Sequence, residues 1–207
     1  MGSKVELIVK LILQLLGAIS AMVGITGLVL QIIRLRQGPT WRDALRKARK
    51  VLDRINQSNW DPTVVIGIGR SGGIWGGWLA GNLGSKPFLG VEEQYVPNPH
   101  GRKVHFPGAE RVLSALEEFR KFGSNVLLVE GASSTGQTFT CFMERFSDQL
   151  DSWNIKKAVL YKNPAAAIDI DFVGKSLERW PERFPWHDRR GKWRRYLKNG
   201  SNNKPWL

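Results

Sequence analysis

Asn125-Val126-Leu127-Leu128-Val129-Glu130-Gly131-Ala132-Ser133-Ser134-Thr135-Gly136-Gln137-Thr138 is the stretch whose reading decides the fold. Asn125–Val129 is too short and too evenly apolar for an amphipathic helix, so it predicts a buried strand. Glu130–Thr138 is rich in glycine and hydroxyl residues, and Phe139–Leu150 returns to helical spacing. A strand that passes through such a loop into a helix leaves free N–H groups and a positive dipole end where an anion can settle. The second half of the loop mimics the G-x-x-x-x-G-K-[ST] nucleotide loop with Gln137 in place of the lysine. Without that lysine an NTPase lacks its contact to the outer phosphates.

A second loop of the same kind lies upstream. Thr63-Val64-Val65-Ile66 predicts a short buried strand, Gly67–Gly73 a tight turn, and Ile74–Leu83 a helix. Gly67-Ile68-Gly69-Arg70-Ser71-Gly72 satisfies G-x-G-x-x-G, and Glu92 follows at the distance where a dinucleotide fold carries its ribose acid. A dinucleotide-dependent oxidoreductase therefore suits the first loop and leaves the second unexplained, while an NTPase does the reverse. One ligand with phosphate at both ends accounts for the pair. Phosphoribosyl pyrophosphate (PRPP) is such a ligand, with a 5′-phosphate at one end and a pyrophosphate at the other.

The remaining elements complete an α/β pattern. Thr40 and Asp43 form a predicted capping box that opens a helix to about Asn56. Phe88–Val91 predicts a second strand, Glu92–Ala109 a long mobile loop, Glu110–Phe122 a helix and Lys156–Tyr161 a further strand. Strands alternating with helices imply a parallel sheet covered on both faces.

Composition bounds the partners. The 207 residues carry 31 Lys+Arg against 18 Asp+Glu, a net charge of +13, which favours anionic ligands or surfaces. One cysteine, Cys141, excludes an internal disulfide and reads as a small buried residue. His100, His105 and His187 lack metal-ligand spacing, so no structural zinc is expected.

No charge interrupts residues 11–33, and a spanning helix needs about 20 residues. A signal peptide has a shorter apolar core, roughly 7–15 residues. The expectation is a single transmembrane helix preceding the soluble domain. Arg34, Arg36, Arg42, Arg46, Lys47, Arg49 and Lys50 follow it, which puts the C-terminal domain in the cytoplasm and the helix in the inner (cytoplasmic) membrane. Gly17, Ser20, Ala21, Gly24 and Gly27 make a small-residue stripe suited to a homo-oligomer. The expected organisation is an anchor at 1–37, a core at 38–175, and a hood with a basic tail at 176–207. That tail (Arg189, Arg190, Lys192, Arg194, Arg195, Lys198 and Lys204) suits the acidic lipid surface of the bilayer rather than nucleic acid, since no RNA-binding motif accompanies it.

The two loops, in this order, resemble those of the type I phosphoribosyltransferase family. The closer likeness is to its bacterial and archaeal xanthine/hypoxanthine (purine) branch. The resemblance covers roughly Thr40 to Asp188. It implies a parallel-sheet fold with flanking helices and a small C-terminal hood, and transfer of phosphoribosyl from Mg²⁺-PRPP to a nucleobase-like acceptor with release of pyrophosphate. It further implies that Ser133, Ser134, Thr135, Gly136, Gln137 and Thr138 hold the 5′-phosphate, and that Gly69, Arg70, Ser71 and Gly72 hold the pyrophosphate. Glu130 would serve the ribose hydroxyls and Mg²⁺, making Glu130, Arg70 and Ser134 the catalytic set. Tyr95, Arg102 and Lys103 would belong to the mobile loop, and Lys162, Trp180 and Phe184 to the base site. Two positions depart from the family pattern: Gly131 stands where it has a second acid, and Ser134 where purine enzymes have an aspartate. The alternative reading is a catalytically degenerate nucleotide-binding module that signals through its membrane helix.

Overall fold

The computed structural model describes residues 16, 17, 19–28, 38–98, 101–181 and 183–187. Two compact units emerge, Met1–Pro39 with Pro181–Phe184, and Thr40–Trp180 with Pro185–Leu207. The second unit contains every strand among the described residues. In chain order it holds α1 (Trp41–Gln57), β1 (Val64–Ile68), α2 (Gly69–Asn82), β2 (Phe88–Val91), β3 (Gln94–Asn98) and β4 (Gly101–His105). There follow α3 (Ala109–Ser114), a 3₁₀ helix (Ala115–Phe122), β5 (Asn125–Ser133), α4 (Gln137–Arg145), α5 (Ser147–Leu150), β6 (Asn154–Lys162) and β7 (Phe172–Ser176).

Five strands form one parallel sheet in the order β2-β1-β5-β6-β7. All five residues of β1, Val-Val-Ile-Gly-Ile, are buried, as expected for a strand covered on both faces. Val64, Ile66, Ile68, Val126 and Leu128 meet Phe139, Phe142 and Phe146 in one core cluster. Helix α1 lies on β6 and β7 and buries Ala44, Ala48, Val51 and Ile55, a stripe at helical spacing.

The predicted capping box is present. Thr40 accepts from the Asp43 N–H, and the Asp43 carboxylate accepts from the Thr40 N–H. The Thr40 hydroxyl, then Arg46, hold the Asp43 carboxyl down to about 2. Its contribution to stability is therefore present at neutral pH and lost as pH falls through the acid range below 4. Thr40→Ala is expected to cost about 1 kcal/mol in a urea melt, because one first-turn N–H loses its acceptor.

Several expectations require correction. The segment expected as a long mobile loop, Glu92–Ala109, contains an antiparallel hairpin in which Tyr95 faces Val104 and Val96 faces Lys103. Buried Val104 and Phe106 tie its far end to the core. Pro97, Asn98 and Gly101 mark only the tip. Strand β1 runs two residues further than expected and α2 begins at Gly69, so the first loop is little more than one left-handed glycine, Gly69 with φ of 66°. Strand β5 likewise continues through Glu130–Ser133, because β6 pairs with it as far as Lys162. The helix expected over Glu110–Phe122 divides into α3 and a 3₁₀ turn. Strand β7 was not expected at all, since Gly174 interrupts its apolar run. A Cβ there would lie 2.7 Å from the Leu160 carbonyl.

Of the predicted membrane helix, residues 16, 17 and 19–28 are described. They are helical, and Ile19, Met22, Val23, Ile25 and Leu28 are exposed. Among the described residues no helix is long and apolar enough to cross a membrane. The rest of that run, the basic tail from Asp188 onward and the Arg102 side chain lie outside the described residues.

Candidate functional site

From β1 the chain moves outward to β2, then returns past β1 to place β5 on its other side. The sheet's topological switch point therefore lies between β1 and β5, and ligands of open α/β sheets bind beyond the carboxyl ends of the strands at such a point. The two loops singled out in the sequence leave β1 and β5 at this crevice.

The first loop is held close to the sheet. A Cβ on Gly72 would overlap the Val129 carbonyl, and one on Gly67 would overlap Gly72, so only glycine lets α2 begin this near β1 and β5. Ser71 sits beside them, and its Oγ accepts from the Gly131 N–H at 3.1 Å. That hydroxyl ties the loops together. Arg70 is exposed at the start of α2.

The second loop is short. Ser133 is the buried last residue of β5, and its Oγ has no hydrogen-bond partner. Ser134 and Thr135 are exposed. The Thr135 hydroxyl accepts from the Gln137 N–H at 3.2 Å, so one N–H expected to face a phosphate is already capped. Gly136 adopts φ of 87°, and a Cβ there would overlap Ile168. Both conditions demand glycine at the entry to α4.

Gly131, where the family resemblance calls for a second acid, has no room for one. A Cβ there would lie 2.5 Å from the Ser71 Cβ and 2.9 Å from the Trp186 ring. Trp186 is itself buried, edge-on to Trp75 and tilted against Tyr161.

Glu130 is buried, only 7% exposed, and its Oε2 has no hydrogen-bond partner. Burial, then the charge of Glu93, push its carboxyl well above the usual carboxylate range, with a hydrogen bond involving Thr138 opposing them. Glu93 went unnoticed in the sequence, where spacing drew attention to Glu92. Glu92 is exposed and accepts from Gln94 Nε2. The Glu93 Oε1 instead accepts from Thr138 Oγ1 at 2.7 Å, and Tyr95 Oη lies 3.0 Å from the same hydroxyl. Thr138 has one proton to give and it goes to Glu93, so Tyr95 is the donor in its contact. Burial, then the Glu93 charge, raise the Tyr95 phenol, which keeps it a donor at neutral pH. The available sequence signal was an acidic pair directly after β2, where parallel sheets place their ligand-binding residues.

Tyr95, one of the predicted loop residues, thus reaches the second loop's Thr138. Lys103 is exposed on β4. Lys162 is half-buried at the end of β6, paired in register with Ser133. Trp180 is half-buried in the core unit. Phe184 is buried but belongs to the other compact unit. Among the described residues no group of three or more His, Cys, Asp or Glu side chains forms a metal cluster.

Several solved structures share this fold. A purine phosphoribosyltransferase from Pyrococcus horikoshii is 23% identical, with 72% of this chain and 92% of that chain covered and a TM-score of 0.57. The xanthine-guanine-hypoxanthine phosphoribosyltransferase of Helicobacter pylori is 13% identical over 69% and 87% of the two chains, with a TM-score of 0.53. A hypothetical protein from Neisseria gonorrhoeae with bound ppGpp is 19% identical over 79% and 96%, with a TM-score of 0.58. No curated protein matches the chain in sequence. Residues 40–189 match the phosphoribosyl transferase domain, and with this sheet order and paired loops the chain belongs to that family.

Proposed function

We propose that the protein binds PRPP across the β1/β5 crevice and transfers its phosphoribosyl group to a purine-like base, releasing pyrophosphate. The observation that carries this reading is the pairing of two anion-binding loops at one switch point, tied by the Ser71–Gly131 hydrogen bond. A dinucleotide leaves the loop after β5 without a role. The 5′-phosphate would lie at the α4 N-terminus against the exposed hydroxyls of Ser134 and Thr135, and the pyrophosphate beside Arg70. Lys162 and Trp180 are the base contacts in this reading, and Tyr95 and Lys103 would cover the reacting sugar from the hairpin side. The buried, unpartnered Oε2 of Glu130 fits a Mg²⁺ ion. Mg²⁺ would supply neutralisation of charge on the departing pyrophosphate. Glu130 would orient the ribose hydroxyls, and Arg70 would stabilise the leaving group by position and charge. Incubating the full chain with PRPP, Mg²⁺ and a panel of purines and pyrimidines tests this. Pyrophosphate release with at least one base is expected, and silence with all of them would refute the transfer.

A second reading follows from the filled position at Gly131. A chain with no space for the second acid would bind a nucleotide carrying phosphates at both ends, as the Neisseria gonorrhoeae neighbour does with ppGpp, without turning it over. Calorimetry that shows ppGpp binding in a chain that releases no pyrophosphate from PRPP would favour it.

We further propose a single-pass anchor at residues 11–33 with the catalytic unit in the cytoplasm. The uncharged run and its basic C-terminal flank support it, as do the exposed apolar side chains of the helical residues 19–28. The protein is expected to stay with membranes through alkaline carbonate washing, and release into the wash would contradict the anchor.

A further inference from the structure

The second carboxylate that Gly131 cannot supply is present from another direction. Glu93 enters from the junction of β2 and β3, and its Oε1 is fixed by Thr138, in the first turn of α4. Its Oε2 lies 2.5 Å from where a Cβ on Gly69 would stand, so the carboxylate spans the gap between the two loops. Glu130 reaches the same place from β5. Thr138 is the shared neighbour of both acids, and Glu93 is the charged group acting most strongly on Glu130.

The hydrogen-bond inventory leaves this cluster short of donors. Thr138 has a single proton for two neighbouring carboxylates and donates it to Glu93 at 2.7 Å, while the Tyr95 hydroxyl is spent on Thr138. Glu130 Oε2, in a side chain 93% removed from solvent, is left with none. A buried acceptor without a donor is costly, and more so when charged. Such an atom, with a second carboxylate acting on the same side chain, is relieved by a cation. Oxygen-only ligands select a hard dication, and one or two carboxylates plus ligand phosphates and water make up the usual Mg²⁺ environment.

We propose that Glu93 and Glu130 together hold one divalent cation of the magnesium class, Glu93 standing in for the acid that the loop after β5 lacks. The inference rests on the phosphoribosyl reading for its purpose, since the cation would face the phosphates of the ligand. Its occurrence is measurable without any phosphate present.

The experiment is titration of the full-length protein with Mn²⁺, followed by electron paramagnetic resonance of the free ion, in phosphate-free buffer. One Mn²⁺ per chain is expected. Glu93→Gln and Glu130→Gln are each expected to weaken it by about tenfold or more. The melting temperature of Glu93→Gln should stay near wild type, because the amide oxygen still accepts from Thr138. Wild-type protein that takes up no Mn²⁺ at millimolar concentration overturns the inference. So does a Glu93→Gln variant that holds Mn²⁺ like wild type, or one that keeps Mn²⁺ and gains affinity for inorganic phosphate, which would make Glu93 only a plug for the α4 N-terminus. PRPP calorimetry on the same preparation separates the two claims. Mn²⁺ uptake without PRPP binding sinks the phosphoribosyl reading and leaves the cation site, whereas PRPP binding without Mn²⁺ uptake does the opposite.

Discussion

Gly131→Asp, which would restore the family's pair of adjacent acids, is expected to damage the protein instead of reviving it. The new Cβ would meet the Ser71 Cβ at 2.5 Å and the Trp186 ring at 2.9 Å. Neither is the free end of a flexible chain: Ser71 is held in the first turn of α2, and Trp186 is buried between Trp75 and Tyr161. Overpacking of this kind costs typically 1–3 kcal/mol. The carboxylate then adds a buried charge beside Glu130, which has no donor to spare. A combined loss of about 3 kcal/mol lowers the melting temperature by roughly 6–12 °C in a chain of this size. Gly131→Ala should show the steric part alone, and Ser71→Gly combined with it should recover part of the loss. A Gly131→Asp protein that melts like wild type would mean that the crevice is wider than described.

Glu130→Gln separates stability from chemistry. The side chain keeps its shape and loses only its ionisation, so transfer is expected to fall by 100-fold or more while the fold is kept. The pH dependence has a definite sign. Burial and Glu93 raise the Glu130 carboxyl in the folded protein, so its proton is bound more tightly in the folded than in the unfolded chain. The stability linked to that proton is complete below the unfolded value near 4.5 and drains away as pH rises through the raised folded value. The amide has no such term. Glu130→Gln should therefore gain in melting temperature relative to wild type as pH is raised from 4 towards neutrality. A difference that stays flat over this interval would show that Glu130 is ionised in the folded state, with a donor or cation in attendance.

How much of this was legible in the sequence differs by element. Strands β1, β2 and β5 and the capped start of α1 were readable because short apolar runs and a Thr-x-x-Asp box are local signals. The ends of β5 were not. Glu130–Ser133 look like loop, and only the nine residues of β6 running alongside keep them in the sheet. Pro97 and Asn98 disguised the hairpin, whose pairing depends on Val104 being drawn into a distant core. The loops' role as anion sites was visible in their glycines, but the commitments inside them were not. Ser71 serves Gly131, Thr135 caps Gln137, and Thr138 serves Glu93. Glu93 itself was missed for a simple reason: neighbouring residues at a strand exit point to opposite sides, and spacing along the chain favoured Glu92, which faces solvent. The absent acid at Gly131 read as a defect in the sequence. In the fold it is a packing requirement.

The central claim is that one ligand spans both loops by its two phosphate ends, and calorimetry of three ligands in the presence of Mg²⁺ tests it most directly. PRPP is predicted to bind more tightly than ribose 5-phosphate or pyrophosphate alone, with Arg70→Ala weakening pyrophosphate and PRPP but leaving ribose 5-phosphate unchanged. PRPP affinity no better than that of pyrophosphate would contradict the two-loop site.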